Sequence, residues 1–269
     1  VGQNLLAALK EITAVMSNPA STGHAQPHER FRVMGHPVDL LADYPQWLAQ
    51  QMAQSIGTHV ITLNAEMTMQ ANNNVALAGV LQQANLIIPD GAGVVLYLRL
   101  YGRRIRRCAG IELAEATIAA AAQQGKTVFF YGGKPEVLEA ADRAWQQRLP
   151  GLQVVGKFHG YQTPESEIEL IAALTAAQPD LVIIGLGVPR QELWIAAQRH
   201  LCPNAVWIGV GGSFDIWSGT KDRAPAWLAD NHLEWLYRLY QEPWRWKRML
   251  ALPKFALQAI IYRLKNPRA

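Results

Sequence analysis

"DLVIIGLGVPRQE", residues 180–192, decides the fold class. An unbroken aliphatic run, residues 181–184, stops at Gly185-Leu186-Gly187, and Pro189, Arg190, Gln191 and Glu192 then open a helix-like stretch. A strand without polar alternation is buried on both faces, the mark of a parallel sheet covered by helices. "HVITLN" (59–64), "ANLIIPDG" (84–91), "KTVFFYGGKPE" (126–136) and "AVWIGVGGSFD" (205–215) repeat the form. Between them lie "IELAEATIAAAAQQ" (111–124), "EVLEAADRAWQQRL" (136–149) and "EIELIAALTAAQ" (167–178), of helical composition. This alternation predicts an α/β fold, a Rossmann-like parallel sheet with helices on both faces. Ligands of such sheets bind beyond the carboxyl ends of the strands, so the polar residues after each run are the candidates.

The chain has 269 residues, half of them apolar, enough for one large core. Its net charge of +4 is unevenly spread. Residues 233–269 hold eight Lys/Arg against two acids, a net +6, which leaves −2 on residues 1–232. The expected organisation is an N-terminal helix and linker (1–30), a catalytic domain (31–232) and a helical, basic and aromatic C-terminal appendage (233–269). Cys108 and Cys202 form no CxxC or Cys/His pattern and are expected to be reduced. The opening residues lack a secretory pattern, and no apolar run reaches 18 residues, so a cytosolic chain without a membrane span is expected.

Several strand ends carry chemistry-bearing residues. Gly132 and Gly133 follow one strand, and glycines there let a ligand approach the backbone. A plain tight turn fits them equally. The motif is neither GxGxxG nor a P-loop. Gly187 and Gly211 mark two similar turns, and Asp215 is placed to cap the next element. Gln191 can donate to and accept from a sugar or a base, whereas Glu192 reads as a charge favoured at a helix N-terminus. Asp90 reads on spacing alone as a turn residue, and functionally as a general base. Thr62 and Asn64 share a strand face, and either bind hydroxyls or end the strand. Arg103, Arg104, Arg106 and Arg107 form a solvated basic run or a diphosphate clamp. No metal-ligand spacing appears, so no protein-held metal is expected.

"TLNAEM", "PDGAGVV", "RCAG", "YGGKPE", "FHGY", "GLGVPRQELW", "GVGGSFD", "RAPAWL" and "EWLYRLYQEPWRWKRM" occur here in the order found in the WecG/TagA/CpsF glycosyltransferases, which this chain resembles over roughly residues 31–263. The resemblance implies an inverting, metal-independent and cofactor-free transfer of an N-acetylmannosamine-like sugar. The implied donor is a UDP-sugar and the implied acceptor a sugar on a polyprenyl diphosphate, in envelope polysaccharide synthesis. Asp90 matches the family's proposed base, Thr62 its substrate-contacting threonine, Arg107 its arginine before Cys-Ala-Gly, and Gln191 its glutamine. Arg190 stands where a lysine is usual. Arg238, Arg245 and Arg248 match arginines of the appendage that complete the site and help hold the enzyme on the membrane. The tail's Trp and Tyr suit a membrane interface, and each Lys or Arg near an anionic leaflet contributes roughly 1 kcal/mol. The expected location is therefore the inner face of the plasma membrane, peripherally bound. A second copy of the chain is left open as a partner.

Other classes stay in view. A nicotinamide or flavin oxidoreductase would want GxGxxG. A non-catalytic, membrane-docking UDP-sugar sensor would bind UDP without turnover. Arg interleaved with aromatics also suits single-stranded nucleic acid, but an acidic main domain argues against that partner.

Overall fold

The structure is a computed structural model that describes residues 29–266 apart from 104, 106, 226 and 229–232, and leaves out the side chains of Arg238 and Arg245. The expected N-terminal helix therefore lies outside the described residues.

An antiparallel hairpin comes first, β1 (Glu29–Val33) with β2 (His36–Leu40), which the strand–helix alternation does not announce. Then follow α1 (Tyr44–Ala53), β3 (Thr58–Leu63), α2 (Ala65–Ala71), α3 (Val75–Gln83), β4 (Leu86–Pro89), α4 (Ala92–Leu100) and α5 (Gly110–Gln123). The second half runs β5 (Thr127–Gly132), α6 (Pro135–Arg148), β6 (Gln153–Phe158), α7 (Pro164–Ala177), β7 (Leu181–Gly185), α8 (Arg190–Gln198), β8 (Val206–Gly209) and α9 (Ser213–Trp217). The tail forms α10 (Glu234–Gln241), a short 3-10 turn, α11 (Trp246–Met249) and α12 (Ala251–Lys265).

Six strands form one sheet in the order β4-β3-β8-β7-β5-β6, all parallel. The expected Rossmann-like α/β class is thus the observed one, with β6 as a strand the pattern missed. β6 is an edge strand whose residues alternate between exposed and half-buried, so it lacks the continuous apolar run of the others. Alternate residues of the inner strands feed opposite layers. Val60, Ile88, Val128, Phe130, Ile183 and Ile208 pack with α1, α5, α6 and α9. On the other face, Phe129, Tyr131, Val182, Ile184 and Trp207 pack with α7 and α8. Ile61, Leu63 and Ile87 pack there with α2, α3, α4 and α12.

The hairpin closes the β4 edge. Asp39 is fully buried, accepts from Arg30 at 2.6 and 2.9 Å, and accepts the Ile87 backbone N–H at 2.8 Å. An edge amide that would otherwise invite another strand is thereby satisfied.

The chain leaves β3 towards β4 but leaves β5 towards β6, in opposite directions. The change of direction falls at β8 and β7, between β3 and β5, and in such sheets ligands bind in the crevice beyond the carboxyl ends at that point. The tail is not a loose extension. Phe255 and Ala259 of α12 are buried in the cluster that holds Met67, Val94 and Tyr97.

Candidate active site

β3 brings Thr62 to the crevice, 9% exposed. Its close neighbour is Gly110, where an added Cβ would stand 2.7 Å from Thr62 Cγ2, so the start of α5 lies directly against β3. Asn64 is not on the strand. It is the N-cap of α2, and its side chain accepts from the Met67 N–H at 2.9 Å, which is the strand-terminating alternative for this residue.

Asp90 follows β4, with its backbone N–H bonded to Leu63 O at 2.9 Å. That bond joins the ends of adjacent strands and brings Asp90 beside Asn64 and Thr62. The Arg107 Nε lies 4.0 Å from Asp90 Oδ1, and the Arg107 Nη2 donates to Glu234 on α10. Burial would lower the Arg107 pKa, but the bond to Glu234 and the charges of Glu234, Asp90 and Glu112 raise it, so the guanidinium stays charged. Next to it, burial pushes the Cys108 thiol up to about 12, helped by Asp90 and Glu112, which leaves a protonated, unreactive sulfur. Arg107 also lines a cavity of about 420 Å³ with Leu41, Asp43, Tyr44, Ile105 and Glu112.

The glycine turns lie side by side on the other half of the crevice. Gly133 N–H bonds Gly185 O at 3.3 Å, and Gly160 N–H bonds Gly133 O at 2.8 Å. Gly132, Gly133, Gly187 and Gly211 all have positive φ. Gln191 lies beneath these turns rather than open to a ligand. It is 1% exposed, and its Oε1 accepts from the Gly187 and Gly211 N–H groups at 3.1 and 3.0 Å. Those two N–H groups therefore point inward. Asp215 does not cap its helix, whose N-cap is Gly212; it pairs with Lys221 at 2.9 Å.

Glu192 reads from the sequence as a charge at a helix N-terminus, but the fold buries it. It too is 1% exposed, accepts from Gln191 Nε2 at 2.8 Å, and is pushed by burial up to about 7, against the opposing pull of that hydrogen bond. The sequence signal available was the Gln-Glu pair at the first turn of a helix that follows a glycine turn.

Tail and main domain meet through ion pairs. Arg248 bonds Glu66 at 2.6 Å, Lys221 bridges Asp215 and Glu242, and Glu234 receives Arg107. The side chains of Arg238 and Arg245 lie outside the described residues. Among the described residues, no group of three or more His, Cys, Asp or Glu is placed to hold a metal ion, and no helix is long and apolar enough to cross a membrane.

Comparison with known proteins adds the chemistry. The model of the glycosyl transferase WecG/TagA/CpsF family matches residues 31–269. The chain is 40% identical over 209 residues to an N-acetylglucosaminyldiphosphoundecaprenol N-acetyl-beta-D-mannosaminyltransferase of Bacillus subtilis strain 168, covering 77% of this chain and 80% of that protein. It is also 40% identical over 218 residues to the enzyme of the same name from Bacillus spizizenii, covering 80% and 82%. A parallel sheet with an Asp–Arg pair at its carboxyl rim and a family match over nearly the whole described chain lead to one assignment: the chain belongs to the WecG/TagA/CpsF family of glycosyltransferases.

Proposed function

We propose that the chain transfers an N-acetylmannosamine-like sugar from a UDP-sugar to a sugar on a polyprenyl diphosphate, with inversion and without a metal. The observation that carries this is Asp90 at the sheet rim, paired with Arg107 beneath the first residue of the tail helix. Asp90 takes the proton of an acceptor hydroxyl as that oxygen attacks the anomeric carbon. The bond from that carbon to the diphosphate breaks, and UDP leaves with the electron pair. Arg107 and the tail arginines Arg238, Arg245 and Arg248 balance the phosphate charge. Thr62 and the turns at Gly132, Gly133, Gly187 and Gly211 shape the donor side. In this reading Asn64 and Gln191 hold the site's backbone in place.

In this reading the reaction takes place at the inner face of the plasma membrane, where a lipid-borne acceptor would be met. Helix α12 supports peripheral docking because it has two apolar faces. Phe255 and Ala259 face the core, while Leu257, Ile260, Ile261 and Leu264 form an exposed stripe on the opposite side. Leu250, Trp244, Trp246 and Tyr240 are exposed beside Lys247 and Lys254, a mixture that suits an anionic lipid interface.

The test is UDP release from a panel of UDP-sugars, with a short-chain prenyl-diphosphate N-acetylglucosamine acceptor and EDTA present. Acceptor-dependent release with one donor is expected. Asp90→Asn is expected to lower it by about 10²–10⁴-fold with UDP binding intact. Near-full turnover in that variant would remove Asp90 from the role. UDP binding without turnover for any pair would favour the sensor reading.

A further inference from the structure

Glu192 is a buried carboxyl that the reaction above does not use. Its Oε1 receives the Gln191 Nε2, and its Oε2 has no hydrogen-bond partner among the described residues. An apolar side chain of similar volume would avoid the cost of burying this group, so packing alone does not account for a carboxyl here.

What Glu192 touches gives the account. Gln191 Oε1 is a single atom that accepts from both Gly187 and Gly211, and so ties the turn after β7 to the turn after β8. For that atom to face both donors, the amide must hold its other end in place. Glu192 supplies the acceptor for that end. Space for the pair is made by Gly209, where an added Cβ would overlap Gln191 Nε2 and stand 2.9 Å from its Cδ and 3.1 Å from Glu192 Oε1. Above the turns there is room: an added Cβ on Gly187 or Gly211 meets nothing within 4 Å.

We propose that Glu192 is a positioning residue for the nucleoside-diphosphate side of the site: it fixes the Gln191 amide, and the amide fixes the spacing of the two glycine turns. The identity of the ligand rests on the transferase reading, whereas the brace itself does not. Without an acceptor, the buried Nε2 is left unpaired, and the amide turns away to find a partner.

The test uses the full chain, labelled for backbone amide exchange, with Glu192→Met, which removes the acceptor, and Glu192→Gln, which keeps it. In Glu192→Met the Gly187 and Gly211 amides are expected to exchange about tenfold faster, while those of Val182–Ile184 stay protected. UDP affinity is expected to fall about tenfold in the same variant and to return in Glu192→Gln. Gly209→Ala, which displaces the amide from the other side, is expected to release the same two amides, and it decides the point if Glu192→Met does not fold. Unchanged exchange at both glycines overturns the proposal. So does UDP affinity that is equal in native and Glu192→Met protein, while leaving the transferase reading intact. A native chain that binds no UDP removes the donor role together with that reading, and the exchange data then show whether the brace exists.

Discussion

The two halves of the crevice are held by different forces. Over β5, β7 and β8 the turns are fixed by backbone bonds, such as Val210 N–H to Ile184 O at 2.8 Å, and by the fully buried Gln191 and Glu192. Over β3 and β4 the parts are joined to the tail through charged side chains: Arg107 with Glu234 and Arg248 with Glu66. Buried hydrogen bonds pre-organise a site. A partly exposed ion pair such as Arg248–Glu66 contributes about 0–1 kcal/mol and exchanges readily for other anions. The difference suits the proposed reaction, in which a small donor meets a finished surface and a lipid-borne diphosphate must displace carboxylates to be received.

The comparison can be broken in three places. The largest effect is expected at Glu192. Its carboxyl titrates near 7 when folded against the ordinary 4.5, so below pH 4.5 both states hold the proton and burial is not penalised by ionisation. As pH rises from 4.5 through 7 only the unfolded state releases its proton freely, and stability is lost, by on the order of 3 kcal/mol above pH 7. Glu192→Gln should remove this slope. Urea unfolding between pH 4.5 and 8.5 checks it, and parallel curves for both proteins would mean that the buried half is not under this strain. Gly209→Ala comes next, with an expected loss of roughly 1–3 kcal/mol from overpacking against Gln191 and Glu192. A neutral result would show that the braced half yields. The smallest effect is expected from Glu66→Gln, under about 1 kcal/mol and shrinking further in high salt. A loss above about 2 kcal/mol would show that the tail is as firmly fixed as the glycine turns.

Five of the six parallel strands were legible because continuous apolar runs leave no other use for their side chains. The sixth, β6, and the hairpin were not, since an edge strand alternates and β1 begins at Glu29 inside a stretch that reads as linker. Strand order was hidden as well, because it depends on where each helix crosses and no local pattern records that. At the site, Asp90, Thr62 and Arg107 were legible as candidates, and the fold brings them close to one another. For Asn64 and Gln191 a letter shows that an amide is present, not that the Met67 N–H or the Gly187 and Gly211 N–H groups already occupy it. The tail's basic and aromatic character was plain, but not that Phe255 and Ala259 of α12 turn inward to the core.

That inward turn sets a working height. Phe255 packs edge-on to Tyr97 of α4, their ring centroids 6.2 Å apart, and α4 is the helix that follows Asp90. The outward stripe Leu257–Leu264 belongs to the same rigid rod as Phe255. A surface gripping that stripe therefore stands at a set distance and tilt from the Asp90 carboxylate, as a workpiece does from a tool in a jig. An acceptor presented at the wrong depth would miss Asp90, the proposed base, even with every contact in the crevice intact.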